Sequence, residues 1–227
     1  MPTRNVLASP TAWRIKRLID IAVSLAALIV LSPLLAVLAV GVALKMGRPV
    51  LFRQERVGLD ERSFSLIKFR TLTNEMDASG ALLPAGDRVT PFGQTMRRWS
   101  LDELPQFVNV LRGDLSLIGP RPLLDYYLPA YTERERLRHT VRPGITGLAQ
   151  VRGRNSVGWD AKLALDVEYV ERWSLALDAK IAVLTVLQLI RPSNVASDPG
   201  AEGDLALIRG LGEPPPERPA ARRGHRD

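Results

Sequence analysis

The sequence predicts an α-rich α+β fold: an N-terminal re-entrant membrane helix-hairpin followed by a compact cytosolic domain with interfacial helices and a short β-hairpin. Three observations carry this expectation. The stretch from Ile21 to Leu44 holds no charge but is interrupted by Ser32-Pro33. Two alternating segments flank the turn Gly58-Leu59-Asp60-Glu61, and helical patterning dominates from Leu123 onward.

The uncharged run of about 24 residues would reach ~36 Å as a straight helix, enough to cross a bilayer. Two features favour a return instead. Pro33 removes a backbone N–H in mid-run and bends the helix, while the Ser32 hydroxyl can satisfy a freed carbonyl. Cations flank both ends, with Arg14, Lys16 and Arg17 before and Lys45, Arg48, Arg53 and Arg56 after, so the positive-inside tendency holds both ends in the cytoplasm. A straight span and a signal peptide remain as alternatives. The second is weakened because the run exceeds the usual 7 to 15 residues and follows Asp20.

With 227 residues, 46% of them hydrophobic, the chain suits one globular domain once the membrane segment and a polar end are subtracted. A net charge of +7 fits nucleic acid, an anionic membrane surface or a phosphate-rich substrate. Position decides: residues 1–62 carry nine Lys or Arg against four acids, clustered around the apolar run, which points to inner-leaflet lipids and not to nucleic acid. The absence of cysteine excludes a disulfide framework and a thiolate metal site. Oxygen ligands and phosphates suit Mg²⁺.

Beyond the apolar run, Pro49 to Arg56 and Ser63 to Leu72 read as an extended hairpin, and residues 73–91 as a polar, mobile loop. Helical patterning is expected over Leu123–His139 and Trp159–Glu171. The apolar segment Ala179–Ile190 is too short to span and reads as a buried or interfacial helix. Residues 193–227 read as a polar, disordered tail.

The densest chemistry lies in RRWSLDELPQFVNVLRGDLSLIGPRP, residues 97–122. Proline is welcome at the first helical position and restricts the residue before it, so a helix should start near Pro105 and stop at Gly113. Asp102 and Glu103 then sit just outside a helix N-terminus, close to Arg97, Arg98, Arg112 and Arg121. The helix dipole and the arginines both favour an ionised Asp102, available as a nucleophile. Neighbouring carboxylates diverge by roughly 100° on a helix, so one can attack while the other holds a metal. The competing reading is a capping box, with Ser100 capping and Glu103 reaching back to its amide.

Other candidates surround this segment. Lys68 and Arg70 would share one strand face and grip a diphosphate, or be an ordinary solvated face. In Gly119-Pro120-Arg121-Pro122 two prolines pre-orient a planar fork suited to phosphate. Arg142-Pro143-Gly144-Ile145-Thr146-Gly147, continuing to Arg154, forms a second Gly-rich cationic loop whose amides could approach a nucleotide. Asp166 and Glu168 lie on a helix with Tyr169 and Trp173, where a base or metal contact competes with simple solvation.

These strings, together with KRLID, FRQERVGLD, IKFRT, LRHTVRPGITGLAQVRGRN and LDVEYV, resemble in collinear order the small monotopic phosphoglycosyl transferases, bacterial sugar transferases acting on a polyprenol carrier. The match runs from about Lys16 to Arg191. The resemblance implies transfer of a phosphosugar from a UDP-sugar donor to an undecaprenyl phosphate acceptor, with release of UMP. Asp102 is then the nucleophile and Glu103 the Mg²⁺ ligand, while Lys68, Arg97, Arg121 and Asp166 match active-site positions and Arg154 lies in a typical loop. It further implies a re-entrant helix broken at Ser32 and Pro33 in the bacterial cytoplasmic membrane. Leu148 and Arg152 depart from the family's usual tryptophan and smaller polar residue. The chain resembles the minimal form, without the multi-span region of larger members. The expected organisation is residues 1–48 as basic N-terminus and re-entrant helix, 49–192 as catalytic domain and 193–227 as tail. A homodimer is compatible with the sequence, which does not fix the oligomeric state, and a non-enzymatic, membrane-tethered binder of nucleic acid or anionic lipid is the competing class.

Overall fold

The computed structural model describes residues 9–153, 158–190 and 205–210. Ser9 caps the first helix, its hydroxyl accepting from the Ala12 amide at 3.2 Å, and Pro10 fills the first helical position. Helix α1 (Pro10–Val30) therefore starts well before the uncharged run. Helix α2 (Ser32–Met46) follows with a bend of 64°. The break obeys the expected chemistry: Pro33 has no N–H for the Ile29 carbonyl four residues back, and the Ser32 hydroxyl donates to that oxygen at 2.8 Å. Neither helix alone is long and apolar enough to cross a membrane.

Helix α1 has an inverted pattern. Lys16, Asp20 and Ser24, spaced by four, are buried, while Leu18, Val23, Ile29 and Val30 are exposed. Lys16 Nζ donates to Asp178 at 2.6 Å, and Asp20 accepts from the Ser116 hydroxyl at 2.8 Å and the Leu117 amide at 3.2 Å. Trp13 stacks on Trp173 with ring centroids 3.7 Å apart. The Lys16 and Asp20 contacts and the Trp13 stack together dock this helix on the body.

Strands β1 (Leu51–Val57) and β2 (Ser63–Phe69) pair antiparallel, with Arg56 opposite Phe64 and Phe52 opposite Lys68. The tight connection uses left-handed backbone at Asp60 (φ 53°) and Glu61 (φ 59°). Phe69 packs with Val42 and Met46 of α2 and Met96 of α3 (Pro91–Arg98), while Leu66 packs with Val110 of α4 (Gln106–Arg112) and with Leu115. Asn109, fully buried, ties α4 to β2 by accepting from the Ile67 amide at 3.0 Å and donating to the Ser65 carbonyl at 2.8 Å. Those contacts satisfy backbone groups on the edge of a two-stranded sheet.

A second pair, β3 (Ser116–Ile118) and β4 (Gly144–Thr146), is parallel. Gly119 crosses Arg142, Gly144 and Gly147 so closely that a Cβ at Gly119, Gly144 or Gly147 would collide with backbone. The glycines expected to admit a nucleotide therefore serve this crossing. Behind it, α5 (Leu148–Gly153), α6 (Trp159–Arg172) and α7 (Leu175–Ile190) enclose Leu148, Val151, Tyr169, Val170 and Ile181. Leu148 is thus a core residue, and Arg152 pairs with Glu168 at 3.0 Å.

The chain is mostly helical with a short antiparallel hairpin. Three local expectations change. Over 123–139 the structure has two 3-10 segments, Asp125–Ala130 and Glu135–Thr140, the first containing Pro129, which cannot join an α-helical ladder. The loop after β2 is bridged at Leu72–Val89 and Met76–Leu82, and buried Arg88 donates from Nε to the Leu83 carbonyl at 2.8 Å. Within the polar end, α8 (Leu205–Ile208) buries Leu205 against Tyr127, Tyr131 and Leu163, and Arg209 pairs with Glu135 and Asp160.

Candidate active site

The segment that carries the carboxylates folds in two steps. Ser100 turns the chain with left-handed backbone (φ 53°), Leu101–Glu103 makes one 3-10 turn, and Pro105 then caps α4, which ends at Gly113 (φ 92°). Ser100 makes no side-chain cap, so the capping-box reading fails. Glu103 reaches across to the hairpin instead. Its Oε1 accepts from Lys68 Nζ at 3.0 Å and from Arg121 Nη2 at 2.7 Å.

Asp102 and Glu103 are therefore held in different electrostatic states. Burial alone would raise the Glu103 carboxyl, but the charges of Arg121 and Lys68 and their hydrogen bonds outweigh it and bring the pKa to about 2. Burial pushes the Asp102 carboxyl above the ordinary aspartate range. Glu103 beside it adds to that shift, and Lys68 and Arg97 oppose it without reversing it. This corrects the expectation that helix dipole and arginines would simply favour the ionised form. Desolvation and a like charge on the next residue dominate.

Arg97 donates from Nε to Thr71 Oγ1 at 2.9 Å, an anchor that fixes its stem near Asp102. Arg121, two-fifths exposed, leaves part of its guanidinium open to a ligand. Its backbone carbonyl is held by Arg138 Nη2 at 2.6 Å, and Arg138 is held in turn by Asp166 through Nε at 3.1 Å and Nη2 at 2.8 Å. Asp166 thus acts at one remove, behind Arg121, and Arg138 is a member of the site that sequence reading missed. Its signal was faint, one arginine among several in RERLRH.

Three predicted contacts are placed elsewhere. Arg70 lies past the end of β2 and donates to the carbonyls of Met46 and Arg48, closing the C-terminus of α2. Arg142 donates from Nε to the Gly113 carbonyl at 2.9 Å, and Arg17 donates to Val110 and Leu111, so both cap the far end of α4. Glu168 pairs with Arg152 and Arg172, and Tyr169 donates to Asp178 at 2.8 Å. Arg154 lies outside the described residues. The structure brings together Asp102, Glu103, Lys68, Arg97 and Arg121.

Among the described residues no group of three or more His, Cys, Asp or Glu converges. A divalent cation here would rest on the Asp102 and Glu103 oxygens left free of hydrogen bonds and take its other ligands from phosphate and water, the usual habit of Mg²⁺.

Comparison with known proteins places this geometry in a lineage. Residues 11–192 match the family described as bacterial sugar transferase. Over 176 residues, 78% of this chain and 87% of the relative, the sequence is 51% identical to the uncharacterized sugar transferase EpsL of Bacillus subtilis (strain 168). It is 39% identical over 194 residues to the UDP-glucose:undecaprenyl-phosphate glucose-1-phosphate transferase of Caulobacter vibrioides, covering 79% of this chain and 71% of that one. The undecaprenyl-phosphate glucose phosphotransferase of Komagataeibacter xylinus is 40% identical, but only 36% of its length is matched. With residues 11–192 matched to the family and a relative 51% identical over most of its length, this protein belongs to the bacterial sugar transferase family.

Proposed function

We propose that this sugar transferase moves a phosphosugar from a UDP-sugar to undecaprenyl phosphate, releasing UMP, in two displacements through an aspartyl-phosphosugar on Asp102. The observation that carries the reading is the division of roles in the dyad. Glu103 is ionised and held by two cations, whereas the Asp102 carboxylate has no side-chain partner among the described residues and is left to react. In the first displacement an Asp102 oxygen bonds the sugar-bearing phosphorus, and the bond to UMP breaks with its electron pair leaving on the nucleotide. In the second, an oxygen of the lipid phosphate bonds the same phosphorus and the pair returns to Asp102. Lys68, Arg97 and Arg121 neutralise the phosphoryl oxygens. Mg²⁺, when bound through Glu103, adds Lewis-acid charge at those oxygens.

The bent pair α1 and α2 supports a re-entrant insertion from the cytosolic face of the bacterial membrane, because between Ile15 and Leu44 its exposed residues are apolar apart from Ser32 at the break, and its polar stripe is turned against the body. Substrates then meet at the lipid surface, one soluble and one membrane-borne. The names of the glucose-transferring relatives make UDP-glucose the first donor to try.

The test is UMP release across a panel of UDP-sugars, with Mg²⁺, in the presence and absence of undecaprenyl phosphate. Without acceptor, a burst stoichiometric with enzyme and a mass gain of one phosphosugar on Asp102 are expected. Asp102→Asn should lose both signals. An active Asp102→Asn enzyme would remove the covalent step, and dispensability of both carboxylates would favour a tethered binder.

A further inference from the structure

Beside the Glu103 cluster a narrow cleft is lined by Arg56, Leu66, Lys68, Gln106, Arg121 and Pro122. Arg56 is the member that nothing above explains. It stands on β1 opposite Phe64, on the same hairpin face as Leu66 and Lys68, because residues two apart share a side and paired residues face together. Its Nη2 donates to Gln54 Oε1 at 2.6 Å, a neutral acceptor, while its buried Nε has no acceptor. Among the described residues no carboxylate lies within ion-pair distance of it. Burial and the neighbouring charge of Arg121 lower its pKa to about 10.

Three cations therefore line the cleft, and the carboxylate beside it, Glu103, is already bonded to Lys68 and Arg121. A partly buried guanidinium with no counter-charge is costly to keep, and the cost is relieved by an anion offering several acceptor oxygens. Asp102 has Glu103, Lys68, Arg97 and Arg121 among its charged neighbours, and Arg56 has Arg121 and Glu103. The Glu103–Arg121 pair is thus common to Arg56 and the nucleophile, and Arg56 lines the cleft beside it together with Arg121.

In-line displacement gives that position a meaning. In each half-reaction the group opposite Asp102 across the reacting phosphorus is a phosphate: the departing nucleotide first, the entering lipid phosphate second. We propose that Arg56, with Arg121, is a phosphate-binding residue that holds whichever phosphate lies opposite Asp102, serving the leaving nucleotide and the entering polyprenol phosphate with one site. This inference rests on the two-displacement reading above. In the first half the electron pair of the breaking P–O bond settles on the nucleotide phosphate beside Arg56. In the second the lipid phosphate is positioned there before its oxygen attacks and the pair returns to the aspartate.

The experiment uses the full chain in lipid nanodiscs with Arg56→Gln and Arg56→Lys. Three quantities are read: the rate of the UMP burst without acceptor, the rate of transfer from the isolated adduct to undecaprenyl phosphate, and UMP binding by calorimetry. The glutamine variant should slow both half-reactions and weaken UMP binding, each about tenfold or more, the scale of one charge-assisted hydrogen bond. The lysine variant should fall between, keeping charge but losing the fork. The mass of the Asp102 adduct should not change. Melting temperatures within a few degrees of wild type separate a lost contact from a lost fold. Slowing confined to one half-reaction, or wild-type rates and UMP affinity in the glutamine variant, would overturn the shared site. Failure of the wild-type protein to form any adduct would reject the two-displacement reading, whereas UMP binding still tests Arg56.

Discussion

Asp102 must lose its proton before it can attack, and its surroundings make that harder. Because its pKa is raised in the folded protein, the acidic limb of the UMP burst should have its midpoint above the ordinary aspartate value. The sign follows for the variants: Glu103→Gln removes the adjacent negative charge and frees Lys68 and Arg121, so the limb should move to lower pH even as the Mg²⁺ dependence weakens. Single-turnover rates from pH 4 to pH 8 check this, and an unmoved or upward-moved limb would contradict the assignment. Arg121→Lys keeps the charge and loses the planar fork, so kcat/KM should fall by ~1–3 kcal/mol of transition-state stabilisation. At this scale the sequence exposed the dyad and Arg121, whose neighbouring prolines advertise a fixed direction. It did not expose Arg70 and Arg142 as helix caps, because a cation in a string gives no hint of which carbonyl the chain will bring to it. Nor did the string hint that Asp166 pairs with Arg138.

Elements were more legible than residues wherever backbone chemistry speaks locally. Pro105 and Gly113 bracket α4 as expected, and the hairpin and the Ser32-Pro33 break follow from proline, turn residues and alternation. The 3-10 segments after Leu123 escaped because their periodicity imitates a helix while Pro129 forbids one. Asn109 shows what holds these pieces together. Asn109→Ala would strand the Ile67 amide and the Ser65 carbonyl, and should cost ~2–4 kcal/mol in denaturant unfolding of the purified protein, the sum of two buried unpaired groups. A change under ~0.5 kcal/mol would mean that the strand finds other partners. For the bent pair, single cysteines at Ser9 and Ala78 should both resist an impermeant thiol reagent in intact cells, and Pro33→Leu should shift the population towards a spanning helix. Opposite labelling of the two sites in the parent protein would replace the re-entrant arrangement by a span.

Across the whole molecule, α1 and the body are joined by buried charge as well as by apolar packing. Lys16 and Asp178 are both buried, and Asp178 also accepts from Tyr169 and Trp173. Lys16→Met would leave that carboxylate without its cation and should destabilise the protein by ~3–5 kcal/mol, read as a lowered melting temperature in nanodiscs. Lys16→Arg should recover part of the loss.

The inward stripe of α1 also sets a depth. Past Ser24 only residues 25–30 extend before the bend, ~9 Å at 1.5 Å per residue, against a hydrocarbon core of ~30 Å. In the proposed arrangement the fold itself dictates how high Asp102 rides over the lipid surface, since the side chains that dock the helix leave it no freedom to slide. Adding four residues after Ser24 and four before Leu38 would lengthen each limb by ~6 Å without touching the catalytic groups. The soluble donor should still load the aspartate, while delivery to a lipid whose phosphate stays at its own level should fail. A catalytic altitude written into a helix would then be measurable as the uncoupling of two halves of one reaction.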